Sequence, residues 1–427
     1  MPESMNRLGG TRNLFSDVGI KRMKTASAWR QPNPTGRQIM TAPNELIVDS
    51  RHLDVVKNKL KQLKVWAGTT QPEIDTVLDL ALIKDLGGLT EFAVTTRKRY
   101  WSEISALERR RRREFTELDV LLYEVRNQLA AENGVVPLLG KNRDTLIGYP
   151  QHKGVGDPGI GVPIKRPTSA HPVEPEDRVL VGVVDTPLYR HPDFPEDRID
   201  SDQYATPDRK GVYSLWSGHA TAVAGRIWQC APDARITVKA GLSDRTGEGT
   251  SWETARKMAA FAGSGIRVLN LSFGTPTEDG EPPLAMRRAI DVLRAADPDL
   301  LIVAAAGNLG HIARPPRQIW PAAMTGVIAV GATGAKFSMK EPWVDVNTVG
   351  LEVDTYYLDQ PVRLSDSEVV NRRGFATWSG TSFAAAGVTG KIAQRLQTDP
   401  KATAAAKLKE LLEDREEPLT VTYDSPF

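Results

Sequence analysis

Residues 179–185, VLVGVVD, form an unbroken apolar run closed by a carboxylate, and how that run is read decides the fold class. A strand that alternates apolar and polar residues has one wet face, whereas one that is apolar at nearly every position is buried on both. Runs of the same kind return at 236–242 (ITVKAGL), 268–274 (VLNLSFG), 300–308 (LLIVAAAGN) and 327–332 (VIAVGA). Helix-patterned stretches separate them: HATAVAGRIW from 219, WETARKMAAFAG from 252 and MRRAIDVLRAA from 286. Doubly buried strands alternating with helices predict an α/β domain over 178–415, with a mainly parallel central sheet between two helical layers.

The N-terminal part reads differently. Residues 1–42 are polar with closely spaced Asn, Gly and Pro, and are expected to be a flexible leader. From 43 to 133 a smaller, helix-rich region is expected. ELIVD (45–49) reads as a strand, and Leu53, Val56, Leu60 and Leu63 recur at helical steps. VLDLALIKDL (77–86) fits a strand or a short helix, and the proline-free stretch from Thr90 to Asn133 predicts one or two long helices. Arg109 to Arg113 are five consecutive arginines; they fan around a helix rather than forming one stripe, and read as a solvated surface flanked by Glu108, Glu114 and Glu117. Residues 134–177 are dense in Gly and Pro and read as an extended linker, and 416–427 as a C-terminal tail.

At 427 residues the chain can hold one large and one smaller globular part. With 55 basic and 53 acidic residues the net charge of +2 provides no field for nucleic acid or anionic membrane over the whole surface. Cys230 is the single cysteine, which excludes an intramolecular disulfide and reads as a small packed thiol. The first residues lack a secretory apolar segment and no run approaches the roughly 20 residues needed to cross a bilayer, so a cytoplasmic location is expected.

Four polar residues sit where chemistry can be done. Asp185 ends a doubly buried strand, at the carboxyl edge where open α/β sheets build their sites. His219 opens a helix of small residues. Ser382 follows a Gly-rich turn in WSGTSFAAAGVTG (378–390), where the first turn of a helix offers free N–H groups to an oxyanion. Asn308 follows the buried strand VAAAGN and can point its amide the same way. Each alone could be a cap or a surface group. Together they supply a nucleophile, its base, the carboxylate that orients the base and an oxyanion donor.

In order and wording these blocks resemble the subtilisin-like serine peptidases over roughly 178–400. VGVVDTPLYRHPDF resembles the family's aspartate block, HATAVAG its histidine block (usually HGTHVAG), and GTSFAAAGVTG its serine block (usually GTSMAAPHVAG). Ala220, Ala222, Ala386 and Gly387 depart from the usual residues, though none removes a reacting atom. The resemblance implies a three-layer subtilisin-like fold and a serine endopeptidase with Asp185, His219 and Ser382 as triad and Asn308 as oxyanion donor. It implies that Ser272, Phe273 and Gly274 form one wall of the S1 pocket and Ala305, Ala306 and Gly307 the other, and that no cofactor is required; structural calcium is left open. Glu248 is placed along the S2 to S4 side, facing basic substrate residues. Arg314 and Arg317 lie in the pocket-floor loop and read as solvent-exposed, the alternative being selection of an acidic residue before the scissile bond. A protein or peptide substrate is the expected partner. The N-terminal region is expected to act as a prodomain or as a retained regulatory module that binds a protein partner. The rival reading is a pseudoprotease that binds peptide strands without cutting them.

Overall fold

A computed structural model of the chain describes residues 41–111, 113–147, 158–169, 173–311, 318–365, 367–414 and 420–421. The leader, most of the C-terminal tail, and Arg314 and Arg317 lie outside them.

The central sheet has the strand order Thr420–Val421, Val346–Thr348, Val327–Ala332, Leu301–Ala305, Val268–Leu271, Leu180–Asp185, Arg235–Ala240 and Ile199–Ser201. Seven of these run parallel, and Thr420–Val421 joins one edge antiparallel. Alternate residues of each strand feed two cores. Val181, Val183, Val303 and Val330 pack under the His219–Cys230 and Thr381–Thr398 helices. Leu269, Leu271, Ile302 and Ala329 pack under the Ser251–Ala259 and Leu284–Ala296 helices. This is the expected three-layer arrangement, and it brings the ends of several strands and the starts of two helices to one edge. No helix of the described residues is long and apolar enough to cross a membrane.

The N-terminal region folds around an antiparallel sheet ordered Glu248–Thr250, Leu139–Leu146, Thr41–Asp49, Leu80–Ile83, Glu73–Asp75. One face packs Leu46, Val48, Ala81 and Ile83 against Val56 and Leu60 of the Leu53–Gln62 helix and Leu121 and Val125 of the Glu117–Asn133 helix. The other sends Ile47, Leu80 and Leu82 into the same cluster as Trp252, Met258 and Leu284 of the large domain. Within 77–86, Leu80–Ile83 is therefore a strand, and 90–133 gives three helices, Leu89–Arg99, Trp101–Arg111 and Glu117–Asn133.

Two sequence expectations change. The helix carrying the arginine run stops at Arg111, and Arg113 is turned inward, its guanidinium forked on Asp119 at 2.7 and 2.8 Å. Within the stretch read as a linker, Leu139–Leu146 (LGKNRDTL) is a strand shared by both parts of the chain. Composition hid it because the buried residues between its two terminal leucines, Lys141, Asn142, Arg143 and Thr145, are polar. Lys141 is fully buried, with Nζ 2.9 Å from Asp119 and 2.8 Å from Glu278. Arg143 reaches Glu278 at 2.6 Å and also pairs with Asp279. Asn142 Oδ1 accepts from the Ser251 hydroxyl and the Trp252 amide, both at 3.0 Å, at the start of the Ser251–Ala259 helix. Outside this strand, Arg288 pairs with Asp49 at 2.7 Å, and Arg256 with Glu73 and Asp75.

A buried ion cluster tolerates poorly the loss of one member: without Lys141, Asp119, Glu278 and Asp279 would share only Arg113 and Arg143, which leaves one buried negative charge uncompensated. Lys141→Ala should therefore destabilise the docked state by about 3–5 kcal/mol, read by urea unfolding. The network also carries a pH dependence. Burial pushes the Glu278 carboxyl up, but the charges of Arg143 and Lys141 outweigh it and hold the group at about 2, against an ordinary 4.5. Asp119 is likewise held well below the carboxylate range by Arg113 and Lys141, against its burial. With folded values below unfolded ones, the stabilisation is complete above pH 4.5 and is lost as pH falls toward 2. Amide exchange across 139–146 should stay slow down to pH 4.5 and accelerate below it, beyond the change in intrinsic rate.

Candidate active site

Asp185 is fully buried at the end of its strand, and His219, 2% exposed, is the first residue of the His219–Cys230 helix. Nδ1 of His219 lies 2.8 and 3.0 Å from the two carboxylate oxygens. A carboxylate accepts, so Nδ1 is the donor of this pair, and in the neutral ring that tautomer leaves the lone pair on Nε2. Thr186 ties the two elements together: its amide donates to Asp185 at 2.7 Å and its hydroxyl oxygen accepts the Ala220 amide at 3.2 Å. Around the imidazole stand Trp378, Phe383 and Trp216, with ring centroids 5.4, 5.8 and 6.4 Å away. They fix the ring and keep water from its flanks. The helix can start here because Gly218 has no side chain; a Cβ would lie 2.1 Å from the Tyr357 ring.

Ser382 is the second residue of the Thr381–Thr398 helix and 2% exposed. Its hydroxyl donates to the Ser272 carbonyl at 3.2 Å, while the Ser272 hydroxyl donates back to the Ser382 carbonyl at 3.1 Å. Asn270 donates to that second hydroxyl at 2.8 Å and accepts from Thr389 at 3.1 Å. The strand before Ser272 thereby grips the Thr381–Thr398 helix from below. A hydroxyl has one proton, so service as a nucleophile would require Ser382 to turn from Ser272 toward Nε2 of His219.

Asn308 is oriented by Thr381, a residue that sequence reasoning passed over. Asn308 Oδ1 accepts both the Thr381 amide and its hydroxyl, each at 3.0 Å, and the Thr381 hydroxyl in turn accepts the Gly307 amide at 3.1 Å. Two donors on Oδ1 settle which way the amide faces and leave its NH2 to donate, on the side of Gly380. A Thr directly before the helix-start Ser was the available signal.

The residues that depart from the usual blocks are packed. Ala220, Ala222 and Ala386 are fully buried, and the Ala222 carbonyl accepts the Thr355 hydroxyl at 2.6 Å. Cys230, the last residue of the His219–Cys230 helix, is half-buried against Gly390 of the Thr381–Thr398 helix.

The pocket residues divide into two groups. Ala305 and Ala306 are 4% and 0% exposed and belong to apolar clusters of the domain, whereas Gly307 is partly exposed beside Thr381. On the other wall, Ser272 and Phe273 are buried, and Gly274 exchanges both backbone bonds with Leu146, at 2.9 and 2.8 Å. Glu248 stands level with Leu146 in the adjoining pair, and the Ile147 amide donates to the Gly247 carbonyl at 3.1 Å. The chain's own Leu139–Leu146 strand therefore lies between Glu248–Thr250 and Gly274. The sequence reading had these residues, Gly274 as a pocket wall and Glu248 on the S2 to S4 side, face a substrate.

The Subtilase family model matches residues 176–422, more than half of the chain. A thermophilic serine proteinase of Bacillus sp. (strain AK1) is 31% identical over 50% of this chain and 51% of its own. Subtilisin NAT of Bacillus subtilis subsp. natto is 26% identical over 57% of this chain and 61% of its own. The chain thus spans between half and two thirds of these relatives. Fervidolysin of Fervidobacterium pennivorans, a keratinolytic enzyme related to subtilisin, is similar in fold, with a TM-score of 0.55 at 18% identity over 87% of this chain and 57% of that one. With an aspartate, a histidine and a serine carried on the elements just described, and a family match that spans them, the chain belongs to the subtilase family.

Proposed function

We propose that this chain is a serine endopeptidase that works through an acyl-enzyme on Ser382 and is restrained by its own N-terminal domain. The observation that carries the reading is the buried Asp185–His219 pair opposite a helix-start serine, with the Asn308 amide turned to donate. In this mechanism Nε2 of His219 takes the Ser382 proton as Oγ attacks the scissile carbonyl, and returns it to the leaving amine. Asp185 holds the tautomer and stabilises the imidazolium. The Ser382 backbone N–H and the Asn308 NH2 donate to the oxyanion, and water then repeats the cycle on the ester. Every proton moves between groups of this chain, the substrate and water.

Restraint is supported by the strand that fills the acyl side. An extended substrate gains affinity there by adding a strand, and Leu146 already takes both backbone bonds of Gly274. The pairing is antiparallel, so the chain after Leu146 heads for Ser272 and the nucleophile. This favours a prodomain-like role for 43–147 over a free regulatory module, with self-cleavage in the segment that follows.

Four outcomes test the proposal. Ser382→Ala should abolish peptide hydrolysis, and Asn308→Ala should lower kcat by on the order of 10²–10³, the scale set by removing one such donor from subtilisin. Thr381→Val keeps the amide donor but loses the hydroxyl; kcat should fall about tenfold with KM little changed, and Thr381→Ser should restore it. Incubated wild-type protein should acquire a new N-terminus after residue 147 that Ser382→Ala never shows. Hydrolysis by Ser382→Ala equal to wild type would overturn the assignment.

A further inference from the structure

Two strands of the chain bracket the nucleophile. Leu146, antiparallel to Gly274, runs toward Ser272, whose carbonyl receives the Ser382 hydroxyl. Further along, Gly159 and Ile160 pair antiparallel with Thr377 and Ala376 of the Phe375–Trp378 strand. That strand leads into Ser382, so its antiparallel partner runs away from it. In chain order, one strand arrives at the nucleophile and the next departs. The two halves of an extended peptide laid across Ser382 must do the same, the acyl half arriving and the leaving-group half departing.

The departing strand is held almost wholly by its backbone. Ile160 is 89% exposed and Val162 60% exposed, so their side chains contribute little. Arg372 donates to the Pro158 carbonyl at 2.5 Å. At Gly161 the approach is so close that a Cβ would lie 2.3 Å from the Ala376 nitrogen. In the three-stranded sheet of Val353–Tyr356, Phe375–Trp378 and Gly159–Ile160 it is the outer member, and its departure would open a strand edge beside the catalytic turn.

We propose that the outer edge of Phe375–Trp378 is the binding site for the leaving-group half of the substrate, and that residues 158–161 occupy it in cis until a substrate displaces them. This rests on the peptidase reading and names its substrate class: an extended polypeptide that continues several residues past the scissile bond. Recognition there is by main-chain hydrogen bonds, so it selects length and extension rather than side chains.

Gly161→Val prevents the cis strand from seating, and Ile160→Thr, at an exposed position, is the control. Two substrates identical up to the scissile bond are compared, one ending there in a chromogenic amide and one continuing about five residues in extended form. Their kcat/KM ratio is read within one preparation of the full chain, which cancels the fraction of molecules whose acyl side is free. In Gly161→Val the long-to-short ratio should rise about tenfold, the worth of one or two backbone hydrogen bonds, and in Ile160→Thr it should not move. An unchanged ratio in an active Gly161→Val protein overturns the proposal, as does an equal fall for both substrates, which would make the strand a brace for the catalytic turn. Should Gly161→Val not fold, wild-type amide exchange decides. A saturating leaving-half peptide should speed exchange at 159–161 while 375–378 stay protected, and no change at 159–161 contradicts the site. Absence of hydrolysis of both substrates by wild-type protein, with Ser382 inert to fluorophosphonate, would instead bring down the peptidase reading beneath it.

Discussion

Two backbone hydrogen bonds between Leu146 and Gly274, at 2.9 and 2.8 Å, join the N-terminal third of the chain to its chemistry. They are made at the wall beside Ser272, and Ser272 in turn grips Ser382. The N-terminal sheet is built so that this contact can be made. Its Leu139–Leu146 strand pairs with Thr41–Asp49 on one side and Glu248–Thr250 on the other, and its position is fixed by Lys141 and Arg143 on Glu278. A strand pinned by buried charges at its middle and by backbone bonds at its end has one register available. Sliding it by a single residue would turn Lys141 and Arg143 to the opposite face, taking both cations from Glu278 and leaving Asp119 with Arg113 alone.

The large domain meets a different constraint. A triad needs an acid, a base and a nucleophile from three distant parts of the chain within hydrogen-bond reach of one another. The parallel sheet places Asp185 at a strand end and helices opening with His219 and Thr381–Ser382 at the same edge. Small residues let those two helices lie close: at Gly390 a Cβ would fall 2.7 Å from the Cys230 Cβ. Ala220, Ala222 and Ala386, which depart from the family's usual residues, lie in this same helix pair and are fully buried in it.

How legible each part was in the sequence follows from how its residues are held. The central strands were legible because burial on both faces demands apolar residues at nearly every position, as in VLVGVVD. The four candidate residues stood out in combination, since nucleophile, base and carboxylate are useless apart, and the structure brings Asp185 and His219 together. The Leu139–Leu146 strand was not, because LGKNRDTL reads as solvated unless the partners are known, and Asp119, Glu278 and Asp279 are far away along the chain. Arg113 was misjudged for the same reason; its fork on Asp119 is set by the turn after the helix ends at Arg111. Thr381 escaped notice because its role is to orient another side chain, which spacing alone does not reveal.

The central claim is that Ser382 is an activated nucleophile kept from substrates by a strand of the same chain. The most direct measurement is the rate of fluorophosphonate labelling, with the adduct mapped by mass spectrometry, in wild type, Lys141→Ala and Ser382→Ala. The account predicts a single adduct on Ser382, formed faster when Lys141 no longer anchors the strand, and none in Ser382→Ala. Labelling at another residue, or none in either protein that retains Ser382, would contradict it.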